Sequence, residues 1–111
     1  MLLIYYVISI VTQFSEPRGR IGISLNSSSS CKAYIFKLHS DYAKTSELKT
    51  NDCIINVNDE NVSEKNRYYV ANKIQGKPNT TVNITVRRDN KNYSYTLTRQ
   101  YTPIDWLRFL K

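Results

Sequence analysis

Arg18 and Arg20, followed by Ile21-Gly22-Ile23-Ser24-Leu25, form the stretch of this 111-residue chain best suited to chemistry. That chemistry is the holding of an anion. A glycine between two branched aliphatics lets the backbone bend where a side chain would obstruct it. Successive backbone N–H groups in such a turn converge on one concavity and bind negative charge. The arginines add positive charge, directly or through water. If the strand that follows is an open sheet edge, the same element takes a peptide by its terminal carboxylate and by strand addition along Ile23 to Leu25.

Other chemistries find little support. The single histidine, His39, has no ligating neighbour in sequence, and no Cys/His cluster shows metal-ligand spacing. No metal or cofactor is expected. No Ser/His/Asp set with a nucleophile elbow can be assembled. The abundant serines and lysines read as solvent-facing, so no catalytic residue is assigned and the chain is not expected to be an enzyme. Asp52 lies in the turn Lys49-Thr50-Asn51-Asp52, where a carboxylate satisfies backbone N–H groups. Cys31 follows a serine run and Cys53 sits in an apolar run. Two cysteines without a motif are not a disulfide framework, and the reading here leaves them unpaired.

The net charge is +7, from 16 basic and 9 acidic residues. Such a surplus favours anionic partners. No run of five basic residues occurs and no aromatics interleave with glycine, so nucleic acid is not expected. The balance reads as a lysine-rich solvated surface. The length is that of one domain. Residues 1–18 are read as an N-terminal strand or anchoring segment, 19–100 as the domain and 101–111 as a tail. Met1 to Val11 is apolar, but as a helix it would span about 16 Å against a hydrocarbon core of about 30 Å. It lacks the preceding positive charge and the cleavage site of a signal peptide. Its Ile, Tyr and Val content suits a strand, and membrane association through it stays open.

The elements that position the anion-holding turn can be read from pattern. Ile21 to Leu25 is a strand, and Ser27 to Ser30 a loop. Ala33 to Leu38 is a second strand. Ser40-Asp41 caps one helical turn, Tyr42 to Ser46. Leu48 enters the core, and Cys53 to Val57 is a third strand ended by the turn Asn58-Asp59, whose residues tolerate positive φ. A main helix starts at Ser63 or Asn66 and spans about 64–75. In it Arg67, Val70, Ala71 and Ile74 share one face. Gly76 reads as its left-handed C-cap, before Pro78. Thr81 to Arg88 and Tyr93 to Arg99 alternate as a hairpin. The tail after Pro103 reads as a short amphipathic helix or a frayed end. The architecture is mainly β with two helices: a partly open barrel of five to seven strands, capped by one short and one long helix.

This order and its punctuation resemble a PDZ domain over about residues 19 to 99. Ile21-Gly22-Ile23 matches the family's apolar-Gly-apolar carboxylate-binding loop. Ser40-Asp41-Tyr42-Ala43, Glu47-Leu48 and Asn51-Asp52-Cys53-Ile54-Ile55-Asn56-Val57-Asn58 match a bacterial pattern. That pattern is Gly-Ser-Pro-Ala, then Gly-Leu, then Gly-Asp-x-Ile-x-x-Ile-Asn-Gly. Gln75-Gly76-Lys77-Pro78, Val82 to Arg88 and Thr96 to Arg99 look most like the PDZ module of carboxyl-terminal processing proteases, without the protease domain. Asn51 stands where that family has glycine, Asp41-Tyr42 replaces Ser-Pro, and Asp59 replaces the glycine of the Asn-Gly turn.

The resemblance implies a non-catalytic module that captures a protein C-terminus or an extended segment by strand addition. The groove would lie between strand 21–25 and helix 64–75. Its residues would be Arg18, Arg20, Ile21, Gly22, Ile23, Ser24, Leu25, Arg67, Val70, Ala71 and Ile74. Val70 and Ile74, with Ile21 and Ile23, would form an apolar pocket for the last side chain. Arg67 would stand where scaffold-type PDZ domains place a selector. The implied partners are peptides and, beyond them, a protease. The implied setting is the cell envelope or a membrane, with the cytoplasm as the alternative. Two further readings stay open: a regulatory or substrate-recognition fragment of an envelope protease system, and a structural domain whose groove is already occupied.

Overall fold

The computed structural model describes residues 18–102 of the chain. The N-terminal segment Met1 to Val11 and the tail after Pro103 lie outside the described residues.

The strands are β1 (Arg18–Arg20), β2 (Ile23–Asn26), β3 (Tyr34–Leu38), β4 (Cys53–Val57), β5 (Glu60–Asn61), β6 (Thr81–Arg88), β7 (Lys91–Thr98) and β8 (Gln100–Thr102). The helices are α1 (Asp41–Thr45) and α2 (Arg67–Ile74). One antiparallel sheet runs β2-β3-β4-β6-β7, with β5 also on β4, and a two-stranded sheet pairs β1 with β8. The main sheet is not closed: β2 is one edge and β7 the other. The result is a mainly β, partly open barrel with one short and one longer helix.

Turn chemistry sets the register. Asp89 and Asn90 both take positive φ, 52° and 64°. That geometry matches the twist of a two-residue hairpin. It locks β6 to β7 from Arg88↔Lys91 through Thr81↔Thr98 without a slip. Asn58 and Asp59 likewise adopt φ 50° and 67°, and Asn51 φ 74°. Asparagine and aspartate thus carry the left-handed positions where the resembling pattern has glycine. Alternation on β6 sends Val82, Ile84 and Val86 into the core, where they meet Ile35, Ile54, Val57, Val70 and Leu97. Each such fully buried aliphatic contributes roughly 1.5–3 kcal/mol.

Several boundaries differ from the pattern reading. The main helix begins at Arg67, not near residue 64, because the Asn66 side chain accepts the Tyr69 N–H at 2.9 Å and forms the N-cap. Gly76 is not a left-handed cap: Gln75 closes α2 with φ −74°, and Gly22 is the glycine with positive φ. Gly76 instead forms a bridge with Gly19, with N–H to carbonyl distances of 2.6 and 3.1 Å. A Cβ on Gly76 would lie 2.8 Å from the Arg99 guanidinium carbon. A side chain there would have to displace the Arg99 guanidinium, so close approach and not backbone freedom suits glycine to this position. Ile21 and Gly22 precede β2 as a loop, and the strand extends to Asn26.

The cysteines also depart from expectation. Cys31 and Cys53 are joined in a disulfide, with Cα atoms 6.0 Å apart. Pairing of Tyr34 with Cys53 across β3 and β4 brings the loop before β3 alongside β4. The strand register, not a spacing motif, makes the pair.

Candidate functional site

A groove of about 560 Å³ runs between β2 and α2. The segment from Arg20 to Leu25 lines one side, and Ala71, Ile74 and Gln75 the other. The loop Ile21-Gly22 closes one end, and its shape is fixed from behind. Gly22 has φ +80°. Its carbonyl accepts the His39 N–H at 2.8 Å. The Ile21 carbonyl accepts the Ser40 hydroxyl at 3.4 Å. Ser40 is also the N-cap of α1, accepting the Ala43 N–H at 3.0 Å. The helix cap and the loop are therefore one unit. With both carbonyls engaged, the N–H groups of Ile21 and Gly22 have no acceptor among the described residues. Successive unclaimed N–H groups beside a cavity are an arrangement suited to an anion.

The expected site residues divide by position. Arg20, Ile21, Gly22, Ile23, Ser24, Leu25, Ala71 and Ile74 line the groove. Val70 points fully into the core. Arg18 is exposed and donates to Asn72 Oδ1 at 3.4 Å, tying β1 to the helix. Arg67 lies across the far end: it donates to Asn26 Oδ1 at 2.7 Å and to the Tyr68 hydroxyl at 2.8 Å. It thereby holds the start of α2 against the end of β2. Three lining residues are not among the expected site residues: His39, Ser40 and Gln75. Ser40 is legible as a cap, and a cap that faces the glycine loop is the signal for its place in the groove. His39 is joined to Ser24 by a side-chain hydrogen bond between Nε2 and Oγ. Among the described residues no carboxylate orients the other ring nitrogen, so the pair lacks the third member of a nucleophilic triad.

Two polar clusters tie neighbouring elements together. Asp52 is buried and accepts the Lys49 N–H at 2.8 Å, as its turn position predicts. It also receives a two-pronged bond from Arg88, at 2.7 and 2.6 Å. That pairing with Asp52 raises the Arg88 guanidinium further above its ordinary range. On α2, Lys73 reaches Glu60 at 2.8 Å and the Tyr69 hydroxyl donates to Glu60 at 2.6 Å. Those two partners, Lys73 first, hold the Glu60 carboxyl below its usual value. At the C-terminal end of α2, Arg99 donates to the Ile74 carbonyl at 2.8 Å and the Lys73 carbonyl at 3.4 Å. It supplies the C-cap that glycine does not.

The PDZ domain family model matches residues 19–98. No curated protein matches the chain. Among solved structures, the photosystem II D1 C-terminal processing protease superposes with TM-score 0.65 at 18% identity, over 79% of this chain and 24% of that one. A serine endoprotease from Yersinia pestis superposes with TM-score 0.68 at 18% identity, over 91% and 35%. An HtrA-type protease solved with a tripeptide gives TM-score 0.65 at 16% identity, over 92% and 38%. The chain therefore spans about a quarter to two-fifths of the length of the structures it matches. At these identities the likeness is one of fold.

Proposed function

Since the chain belongs to the PDZ domain family, a family of protein-interaction modules, we propose that it binds peptides by their C-termini in the groove between β2 and α2. The observation that carries this reading is the Ile21-Gly22 loop, whose N–H groups have no acceptor among the described residues, at the mouth of an open edge strand. The terminal carboxylate would sit on the N–H groups of Ile21, Gly22 and Ile23, with Arg20 adding charge. The peptide strand would pair with β2. Ile21, Ile23 and Ile74 would receive an apolar last side chain, with the small Ala71 leaving room beside it. The groove supplies backbone donors and apolar walls, and its role is binding without catalysis.

The similarity in fold to PDZ modules of processing and HtrA-type proteases supports a second, compatible reading. The peptide would be handed to a protease, with this domain as its recognition part. The disulfide supports a setting outside the reducing cytoplasm, such as the cell envelope.

The test is a peptide library with free and amidated C-termini, read by fluorescence anisotropy. Binding should need the free carboxylate and an apolar last residue. Equal affinity for amidated peptides would overturn carboxylate capture at Ile21 to Ile23.

A further inference from the structure

The groove has an outer flank that its helix does not touch. Ser24 pairs with Lys37 and Leu25 with Ile35, so Phe36 is an extra residue in β3. Such a bulge re-aims side chains. Here Phe36 and Lys37 are both exposed, Phe36 at 57%. His39 follows two residues on, opposite Gly22, with its ring on Ser24. Ser24, Lys37 and His39 therefore share the face of the β2-β3 ladder that points away from the core, immediately beside the anion-holding loop. Arg20 lines the same end of the groove. Neither Arg20 nor Lys37 forms an ion pair among the described residues. The acidic residue nearest in sequence is Asp41, exposed at the start of α1. The flank is thus rich in donors and positive charge.

A strand added to β2 sends successive side chains to opposite faces. Ile23 and Leu25 lie on the core side. A ligand's last side chain enters the apolar pocket on that side, so the penultimate side chain must emerge on the Ser24 face. We propose that this face is a specificity subsite for a carboxylate side chain at the penultimate position of the bound C-terminus. His39 and Ser24 provide the hydrogen bonds and Lys37 the charge. The inference rests on the peptide-binding reading above and adds the class of ligand.

The experiment compares three labelled peptides with the same apolar last residue and Glu, Gln or Lys before it, at low salt. The Glu peptide should bind the unmodified chain about three- to fivefold more tightly than the Gln peptide, as expected for a partly exposed charge pair. The Lys peptide should be the weakest. In the double variant His39→Ala, Lys37→Ala the Glu-to-Gln ratio should fall to within twofold. Equal affinity for Glu and Gln peptides, with amidation still abolishing binding, would sink the subsite and leave the groove intact. A preference unchanged in the double variant would also overturn the assignment to His39 and Lys37. Failure of every free C-terminus to bind would remove the groove reading and the subsite together.

Discussion

Asp52 shows how one side chain can be half legible. An acid closing a turn announces its bond to the Lys49 N–H, because both lie in the same four residues. Its pairing with Arg88 spans 36 positions and exists only once β4 and β6 are side by side. Arg88 also donates to the Glu47 carbonyl at 3.1 Å and lies over the Tyr93 ring, 4.9 Å from its centre. Removing the acid therefore strands a largely buried cation. Asp52→Ala should cost about 3 kcal/mol, seen as a lower urea midpoint at constant slope. A loss below about 0.5 kcal/mol, the range of ordinary surface changes, would mean that Arg88 escapes to solvent at no cost. Gly22 is the converse case, legible from residue type alone. Its φ of +80° and the Ser40 Cβ, 2.6 Å from where a side chain would begin, leave no alternative to glycine.

Among elements, α2 matters most, because it is the helical wall of the groove. Its eight residues are too few to be stable alone in water. It is held at each end by side chains from elsewhere in the chain. Arg67 binds Asn26 at the start, and Arg99 caps Ile74 and Lys73 at the finish while also donating to Thr80 Oγ1 and the Thr81 carbonyl, both at 3.0 Å. The 3.6-residue period located the helix, but it could not show that an arginine 25 positions beyond Ile74 replaces the glycine cap. Arg99→Ala should lower stability by about 2 kcal/mol through its lost backbone bonds. It should also weaken peptide binding, because Ile74 and Gln75 line the groove at that end. Urea denaturation and anisotropy on the same variant check both effects. Undiminished affinity would show that the C-terminal turn of α2 is not part of the working wall.

At the scale of the molecule, the disulfide closes a long loop between the start of β3 and β4. Its cysteines are 22 positions apart in sequence. Constraining the unfolded chain over such a span stabilises by about 3 kcal/mol. Reduction, or the double variant Cys31→Ala, Cys53→Ala, should lower the urea midpoint accordingly. Peptide affinity should stay within about twofold, since neither cysteine lines the groove. A large loss of affinity on reduction, with the fold intact, would show instead that the bond sets the register of β2 through β3. The open barrel leaves two edges, β2 and β7, yet the loop with unclaimed N–H groups lies beside only one of them. On the proposed reading, that asymmetry makes β2 the edge that takes the peptide.

Local physics let the sequence alone determine much of this protein. Turn residues that tolerate positive φ, alternation on β6 and β7, the helix face of Val70 and Ile74, and the Ile21-Gly22-Ile23 bend each act within a few residues. Together they specify a PDZ domain with a glycine-centred loop before β2. Only the tertiary structure decided what depends on register between distant strands. It joined Cys31 to Cys53, set Arg88 on Asp52, and brought Arg99 to the end of the groove helix. It also placed His39 on Ser24, fifteen positions away, on the outer flank of the groove. A long-range contact of this kind leaves no local signature, because its partners become neighbours only when the sheet has formed.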